Sequence, residues 1–425
     1  MAKAIKRILP KHKDEEIKGD EAAQPKVEVE EAEEAPIHGD VLETMILTRL
    51  TLLDLVAASR VSKAWRGSVS TSLHISPRLK PWFIVYAFHH RNHSLTSAFA
   101  FDPSSRVWLR IQNTHFTTTT SGAIRSSDSQ YLLYSLSTTG FSFSFDPFHL
   151  TWHHVEAPLV WRENPIVAHL GSRIFVAGGT YDLIDDPLAV EMYNIGSGRW
   201  ETCQSMPFLL KDSATSTWIS TAATDSKLYL LEKRSLLICS FDAETKTWGD
   251  TFNLNLISNP THINPPVPVF QSTIGFVDDR LIVVGLMGDP EDLQGLGLWE
   301  VDQHTYECRP IGEMPPEMVE KLRKANSPLS TMHASMEGGS IYIYDPRNPE
   351  QIFFCECELK KKEGIHEWGC VVNPMLNYRN RMQRFVFTCS RIMMRDIQKA
   401  VATGSRTFTI ETDGDENGLS ARTCR

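Results

Sequence analysis

Four stretches of the chain repeat one pattern: FDPSSRVW (101–108), FDPFHLTW (145–152), YNIGSGRW (193–200) and FDAETKTW (241–248). In each stretch an aromatic residue is followed by Asp or Asn, then by five residues and a Trp. Two weaker copies follow, a shortened one at 301–306 and a stretched one at 357–368. The chain therefore contains six repeated units, spaced at roughly 40–50 residues, which is the period of a blade-like repeat.

Apolar, strand-forming runs precede the aromatic–Asp pair in each unit, for example RIFVAGG (173–179) and KLYLLEK (227–233). Their spacing predicts four antiparallel strands per unit, here called A to D from the axis outward. Such units are typical of β-propeller blades. The sequence therefore predicts a mainly β fold, with a six-bladed propeller over residues 80–395. The first unit lacks a strand A, and we expect the run 384–392 to supply it and close the ring.

The repeated polar and aromatic residues have a structural interpretation. The Asp or Asn fits the first position of a tight turn, where its side chain accepts hydrogen bonds from backbone N–H groups. The Trp is expected to fill the space between neighbouring blades. Structural roles are therefore predicted for Asp102, Trp108, Asp146, Trp152, Asn194, Trp200, Asp242 and Trp248.

The segments outside the repeats differ from them in composition. Residues 1–36 are charged and contain few large side chains, which predicts a disordered acidic tail. Residues 37–75 contain apolar side chains at helical spacing and predict three short helices. A unit this small rarely folds alone, so either the rest of the chain or another protein must cover several of its leucines. Residues 396–425 are expected to form a poorly ordered tail.

Charge and composition exclude some classes of function. The chain has 425 residues, with 43 Lys and Arg against 52 Asp and Glu, for a net charge of −9. This balance argues against nucleic acid as a partner, because phosphate neutralisation dominates that affinity. No secretory signal or membrane span is visible, and the eight scattered cysteines fit reduced thiols. We therefore expect a cytoplasmic or nuclear protein without a membrane partner.

One cluster of metal-ligating residue types lies on a predicted strand of the fifth unit. Glu300, Asp302 and His304 alternate there, as ligands on one face of a strand would. Asp302 also occupies the turn position of the repeat, which favours the structural interpretation. No nucleophile or nucleotide-binding motif is present. We predict no catalytic residue, no metal and no cofactor, with a metal-dependent enzyme as an alternative.

The combination of the segment 37–75 with the aromatic–Asp…Trp units resembles the plant F-box/kelch-repeat proteins. The stretches PIHGDVLE (36–43), FHLTWHHV (148–155) and MPPEMVEKLR (314–323) are similar to the subgroup whose targets are flavonoid and phenylpropanoid enzymes, chalcone synthase in particular. The sequence departs from the family at His38 and Thr51, where proline is common.

This resemblance implies the substrate-recognition subunit of an SCF-type E3 ubiquitin ligase, a non-catalytic role. The F-box, 37–75, would bind a Skp-type adaptor and through it a cullin, and the kelch propeller would bind the protein to be ubiquitinated, with chalcone synthase as a candidate. A kelch scaffold acting outside any ligase is the alternative. By position, the implied adaptor-binding residues are Ile37, Val41, Leu42, Ile46, Leu50, Leu52, Leu53 and Leu55.

Alternation of strand direction divides the connections of a propeller between two faces. The B–C and D–A connections emerge on one face, here called the loop face, and the A–B and C–D turns emerge on the other, the turn face. Long segments such as 286–297 and 312–327 belong to the loop face, and binding usually involves elaborated loops. We therefore expect the substrate on the loop face, with the candidate residues Asp182, Asp185, Asp186, Asp289, Glu291 and Asp292.

Overall fold

The structure is a computed structural model. It describes residues 41–75, 80–89, 91, 95–113, 122–128, 131–180, 185–256, 267–325, 331–348, 350–357, 365–375, 383–403, 406–411 and 423–424. The predicted acidic tail, 1–36, and the candidate residue Ile37 lie outside the described residues.

The residues before the propeller form a small helical unit, as the sequence predicts. Thr51 begins its second helix, because the Thr51 hydroxyl oxygen accepts a hydrogen bond from the Asp54 backbone N–H at 3.2 Å. No helix in the described ranges is both long and apolar enough to cross a membrane. The helical elements are a π-helical turn (Leu42–Ile46), a 3-10 turn (Leu47–Arg49), α1 (Leu52–Ala58), α2 (Lys63–Ile75), a 3-10 helix (Phe208–Ser213), α3 (Pro316–Ala325) and α4 (Met394–Ala402).

The remaining elements are strands. In chain order they are β1 (Trp82–His89), β2 (Leu95–Asp102), β3 (Val107–Asn113), β4 (Ile124–Ser126), β5 (Leu133–Ser137), β6 (Gly140–Ser144), β7 (His153–Val155), β8 (Ile166–Leu170), β9 (Arg173–Ala177), β10 (Val190–Asn194), β11 (Arg199–Cys203), β12 (Ile219–Ala223), β13 (Lys227–Glu232), β14 (Leu237–Asp242), β15 (Thr247–Trp248), β16 (Phe252–Asn253), β17 (Val269–Val277), β18 (Arg280–Gly288), β19 (Leu293–Val301), β20 (Cys308–Glu313), β21 (His333–Glu337), β22 (Ser340–Tyr344), β23 (Gln351–Cys357), β24 (Ile365–Val372), β25 (Gln383–Ser390), β26 (Arg406–Glu411) and β27 (Thr423–Cys424).

Within the described residues these strands form six antiparallel sheets, which confirms the predicted six-bladed propeller. Blade 1 contains β25, β1, β2 and β3 in that order, extended outward by β26 and β27. Blades 2 to 6 begin with β4, β8, β12, β17 and β21, and these A strands surround the axis together with β25. Trp82 of β1 lies opposite Ser390 of β25, and His89 lies opposite Gln383. β25 therefore supplies strand A of blade 1 and covers the inner edge of β1.

The C–D turns share one geometry. In blade 4, Asp242 Oδ1 accepts hydrogen bonds from the backbone N–H groups of Glu244 and Thr245, each at 2.9 Å. Four residues after the Asp, Lys246 has a φ of 57°, which turns the chain back into strand D. The equivalent residues of other blades also have positive φ, namely Arg106, Leu150, Gly198 and Tyr306.

The fifth unit corrects one sequence interpretation. Val301 lies opposite Cys308, in the register that pairs Phe241 with Trp248 in blade 4. The unit is therefore of full length, and the prediction of a shortened copy is wrong. Cys308 occupies the position of the repeat Trp, and the aromatic Tyr306 two residues earlier gives the sequence of this unit a shorter pattern.

The repeat tryptophans join neighbouring blades. Trp248 packs edge-on against Phe175 of blade 3, with ring centroids 6.2 Å apart, and its indole N–H donates to the Gln204 carbonyl at 3.0 Å. Trp200 packs in the same way on Phe141 of blade 2, at 5.7 Å. Because aromatic edge-to-face pairs add to the stabilisation from buried area, each Trp holds its blade against the one before it.

In the described ranges 394–403 and 406–411 the chain is more ordered than the sequence predicts. Instead of a poorly ordered tail, it forms α4 and then β26, which pairs along β3. Ile397 and Ala400 of α4 are fully buried, and the Gln398 amide donates to the Ser59 hydroxyl of the F-box segment at 3.1 Å. The expectation was wrong because it missed this apolar helix face, which joins the F-box segment and blade 1 in one core.

The long loop expected at 286–297 is mostly strand. β18 continues to Gly288 and β19 begins at Leu293, so only a short turn separates them. Gly288 has a φ of 109°, and a Cβ there would lie 2.4 Å from the Asp292 carbonyl oxygen. A glycine is therefore required at this tight turn. The other long segment, 312–327, contains α3, whose Val319 and Leu322 are buried.

Candidate functional sites

The leucines implied as adaptor-binding residues are divided by burial. Leu42, Leu52, Leu53 and Leu55 are each at most 7% exposed. They share a core with Trp82 of blade 1 and Ile397 of α4. The structure therefore contradicts their assignment to a free surface, because the chain itself covers them. Leu50 is half-buried against the same core.

Other apolar residues of the F-box segment remain exposed. Met45 is 62% exposed, and Val41, Ile46 and Val61 are also exposed. Of the implied adaptor residues, Val41 and Ile46 thus stay accessible. We call Val41, Met45, Ile46 and Val61 the F-box surface. Sequence reasoning missed Met45 as a surface residue, although it lies at helical spacing from Val41.

The F-box segment packs on the turn face of the propeller. A groove of about 160 Å³ separates the two and is lined by Leu50 and Leu55 on one side and by Trp82 and Ser104 on the other. Ser104 belongs to the C–D turn of blade 1, between β2 and β3. The loop face is therefore left free by this packing.

The centre of the loop face contains a cavity of about 260 Å³, which we call the axial cavity. Its charged lining residues come from different blades. Arg125, His333 and Arg384 lie near the starts of A strands, and Lys233 follows the end of a B strand. Because A strands begin and B strands end on the loop face, the cavity opens there.

One carboxylate in the axial cavity is neutralised by the cavity itself. Asp128 lies 3.8 Å from the Lys233 ammonium and 3.6 Å from His333 Nδ1. Burial opposes ionisation of Asp128, but the Lys233 charge and the His333 contact outweigh it and hold the pKa of Asp128 below its ordinary value. Lys233 also donates to the carbonyls of Ser216 and Thr217, at 3.1 and 3.3 Å. This network fixes one side of the cavity.

Two guanidinium groups line the cavity without such compensation. The Arg125 guanidinium donates to the Asn164 side-chain oxygen at 2.6 Å. Burial, reinforced by the positive charge of Arg125, lowers the pKa of Arg384. Neither arginine forms an ion pair with any carboxylate that the structure describes. The axial cavity therefore carries excess positive charge.

Comparison with known proteins identifies the family that shares this architecture. No family model matches the sequence. The chain is 38% identical over 384 residues to an F-box/kelch-repeat protein of Arabidopsis thaliana, and the match covers 87% of this chain and 93% of that protein. The chain belongs to the F-box/kelch-repeat family. In this F-box/kelch-repeat protein, the helical segment and the propeller together support a substrate-receptor role in general.

Two of the acidic residues predicted for substrate binding, Asp186 and Asp289, cap local turns in this F-box/kelch-repeat protein. Asp289 accepts hydrogen bonds from the backbone N–H groups of Glu291 and Asp292, at 2.9 and 2.8 Å. Asp186 accepts one from the Ser205 hydroxyl at 2.6 Å. These contacts do not bring the acids together in a common site. Of the other two acids, Asp185 is half-buried, and Asp182 lies outside the described residues.

The alternative metal site of this F-box/kelch-repeat protein is not assembled either. Glu300 forms ion pairs with Arg280, at 3.4 Å, and with Arg309. Asp302 accepts hydrogen bonds from the backbone N–H groups of His304 and Thr305. Among the residues with described positions, no group of three or more His, Cys, Asp or Glu is arranged to hold a metal ion. The metal-dependent alternative therefore has no site in this part of the chain.

Proposed function

We propose that this F-box/kelch-repeat protein is the substrate-recognition subunit of an SCF-type E3 ubiquitin ligase. Its F-box surface would bind a Skp-type adaptor and, through it, a cullin, and its loop face would bind the protein to be ubiquitinated. The observation that carries this proposal is the distribution of exposed apolar side chains, because ordered apolar patches on a surface mark interaction sites.

These exposed side chains fall into two main groups among the described residues. One group is the F-box surface. The other lies on the loop face and comprises Leu159, Phe208, Leu209, Trp218 and Val372. Of the exposed large apolar residues that the structure describes, Ile195, Phe252 and Met393 belong to neither group. A receptor that bridges an adaptor and a substrate needs two such separate surfaces.

Hydrogen bonds to the buried Glu191 side chain fix the loop that presents Leu159. The Glu191 carboxylate accepts hydrogen bonds from the Leu159 and Val160 backbone N–H groups, at 2.7 and 3.2 Å. The same carboxylate pairs with the fully buried Arg162 guanidinium at 3.1 Å. Leu159 nevertheless remains 81% exposed. A loop so fixed that exposes a leucine supports a role in protein contact.

The connection between blades 3 and 4 likewise combines a buried anchor with exposed apolar side chains. Leu210 of the 3-10 helix is fully buried and anchors it, while the preceding Phe208 and Leu209 point to solvent. Trp218 is stacked under the Arg234 guanidinium, 4.5 Å from its ring centroid. Aromatic and arginine side chains of this kind are enriched at the centres of protein interfaces.

In this role the chain itself catalyses no bond change. It would raise the effective concentration of the substrate near the ubiquitin-conjugating enzyme by holding both in one assembly. The resemblance to the flavonoid and phenylpropanoid subgroup makes chalcone synthase the first candidate substrate.

Reconstituted ubiquitination tests this proposal. The full chain is purified with a Skp-type adaptor and a cullin complex and supplied with chalcone synthase or with a second enzyme of flavonoid synthesis. Ubiquitination that requires the receptor and falls with Leu159→Glu supports the proposal. Failure of the receptor to co-purify with the adaptor contradicts it.

One observation favours a scaffold that acts outside a ligase. Leu52, Leu53 and Leu55 are covered by the chain's own core, so the helical segment could serve as a cap on the propeller. The same co-purification decides between the two functions, because a scaffold of this kind would bind its protein partner without the adaptor.

A further inference from the structure

We infer that the axial cavity recognises a carboxylate of the substrate, an Asp or Glu side chain in an exposed segment, through Arg125 and Arg384. This inference rests on the proposed receptor function and adds the chemistry of recognition. It also replaces the acidic loop residues Asp186 and Asp289, which cap local turns, as the polar part of the substrate-binding face.

The charge balance of the cavity favours an anionic ligand. Asp128 is already engaged by Lys233 and His333. Arg125 and Arg384 remain, and their charges meet in one cavity without a described carboxylate partner. Two neighbouring cations repel each other, and an anion bound between them removes that repulsion. The cavity is therefore complementary to a negative group.

The type of cation narrows the class of ligand. A guanidinium presents a planar fork of N–H donors that matches a carboxylate in a bidentate arrangement. The Asn164 side-chain oxygen accepts a hydrogen bond from the Arg125 guanidinium at 2.6 Å and so orients this guanidinium before a ligand binds. These features fit the carboxylate of an Asp or Glu side chain, and a phosphorylated side chain is the alternative that the peptide experiment tests.

The position of the cavity favours a side chain of a protein over a free small molecule. The mouth opens on the loop face, and its lining residues Ser216 and Thr217 immediately precede the exposed Trp218. A segment that inserts an acidic side chain would thus reach the apolar contacts of the loop face with its flanking residues. A free dicarboxylate would use the cavity alone.

A peptide experiment tests the inference on the full chain in complex with the adaptor. The probes are three fluorescein-labelled nonapeptide libraries, randomised except for a central Glu, Gln or phosphoserine, and the readout is fluorescence polarisation. We expect the Glu library to bind about tenfold more tightly than the Gln library, a difference of about 1.4 kcal/mol. Arg384→Ala should remove that preference, and Arg384→Lys should retain part of it. Asp186→Asn is the matched control and should leave the preference unchanged.

Several results would overturn the inference. They are equal binding of the Glu and Gln libraries, a preference that survives the double substitution Arg125→Ala and Arg384→Ala, and tighter binding of the phosphoserine library. Succinate is the probe for a free carboxylate. Saturation by succinate without binding of the Glu library would assign the cavity to a small molecule and would also overturn the inference.

Folding and the receptor function are checked on the same samples. The Arg384 guanidinium forms no hydrogen bond or ion pair with the described residues, and its substitution leaves the backbone pairing of residue 384 with Phe88 in place, so the thermal unfolding midpoint should stay unchanged. If Arg125→Ala lowers that midpoint because Asn164 loses its hydrogen bond, the single variant Arg384→Ala still tests the inference. An unchanged Glu preference in an adaptor-bound Arg384→Ala complex contradicts only this inference, whereas a wild-type chain that fails to bind the adaptor contradicts the receptor function.

Discussion

The F-box surface and the axial cavity differ in almost every physical respect. The F-box surface consists of apolar side chains that come from one short stretch of chain and project into solvent. The axial cavity is concave, and the charged side chains in its lining come from separate blades. One surface is suited to a partner with a fixed apolar face, and the other to a partner recognised by its charge.

This difference would keep the two proposed binding events independent of each other. Apolar association depends on buried area and responds little to ionic strength, whereas an exposed charge contact weakens as salt screens it. The surfaces also lie on different faces of the propeller. The following experiments test whether the two surfaces can be perturbed separately.

The largest effect is expected from a charge placed in the core that the F-box segment shares with blade 1 and α4. Leu53 is 5% exposed, so Leu53→Glu would bury a carboxylate among aliphatic side chains. The free energy of unfolding of the helical segment should fall by about 3–5 kcal/mol, measured by hydrogen exchange of its amides. Adaptor binding would be lost through unfolding, and this substitution therefore does not report on the F-box surface. Retained amide protection would contradict the burial of Leu53.

A change at the F-box surface should separate binding from folding. Met45→Glu combined with Ile46→Glu removes two apolar side chains from the proposed adaptor contact, each worth about 1.5–3 kcal/mol when fully buried. Adaptor affinity, measured by calorimetry, should fall about 100-fold, while the thermal unfolding midpoint stays constant because both side chains are exposed. Leu159→Glu is the matched control on the loop face and should leave adaptor affinity unchanged.

In the axial cavity, Asp128→Asn should show a stability cost that depends on pH. The pKa of Asp128 is depressed in the folded state, so its contribution is present above its unfolded pKa of about 3.9 and is lost as the pH falls through the folded pKa. Urea denaturation at pH 7 should give a loss of about 1–3 kcal/mol, with a smaller difference from wild type below about pH 4. A constant difference across this range would show that Asp128 acts through packing alone. Adaptor affinity at pH 7 should not change.

The smallest effect concerns salt. Raising NaCl from about 50 to about 500 mM should weaken binding of a Glu-containing peptide to the axial cavity by about 3–10-fold, because the Debye length falls from over 10 Å to a few Å. Adaptor affinity should stay within about twofold. Equal salt dependence of the two affinities would remove the distinction between the two surfaces.

The sequence indicated the elements that depend on local patterns. The aromatic–Asp…Trp spacing predicted the blades because each turn requires a capping Asp or Asn and each blade interface requires a large side chain. The apolar spacing in 41–61 likewise predicted helices. The pattern could not predict which of those apolar residues stay exposed. Leu53 and Met45 both lie at helical positions, and the packing of blade 1 and α4 decides which one is covered.

The axial cavity could not be predicted for a related reason. Arg125, Asp128, Lys233, His333 and Arg384 meet only because the ring brings different blades to one axis. No spacing along the chain relates them. The acidic residues of the exposed loops are apparent in the sequence, yet Asp289 accepts hydrogen bonds within its own turn. Cys308 was overlooked in the same way, since its register becomes visible only beside Val301.

The way blade 1 is completed has a consequence for synthesis. β1 must wait for β25, and the F-box core must wait for Ile397, so a ribosome has to translate almost the whole chain before either unit is finished. Until then the inner edge of β1 and the leucines of the helical segment are open to chaperones and proteases. A nascent or prematurely stopped chain thus lacks both the paired inner strand of blade 1 and the covered helical core, and both form only when nearly the whole chain has been made.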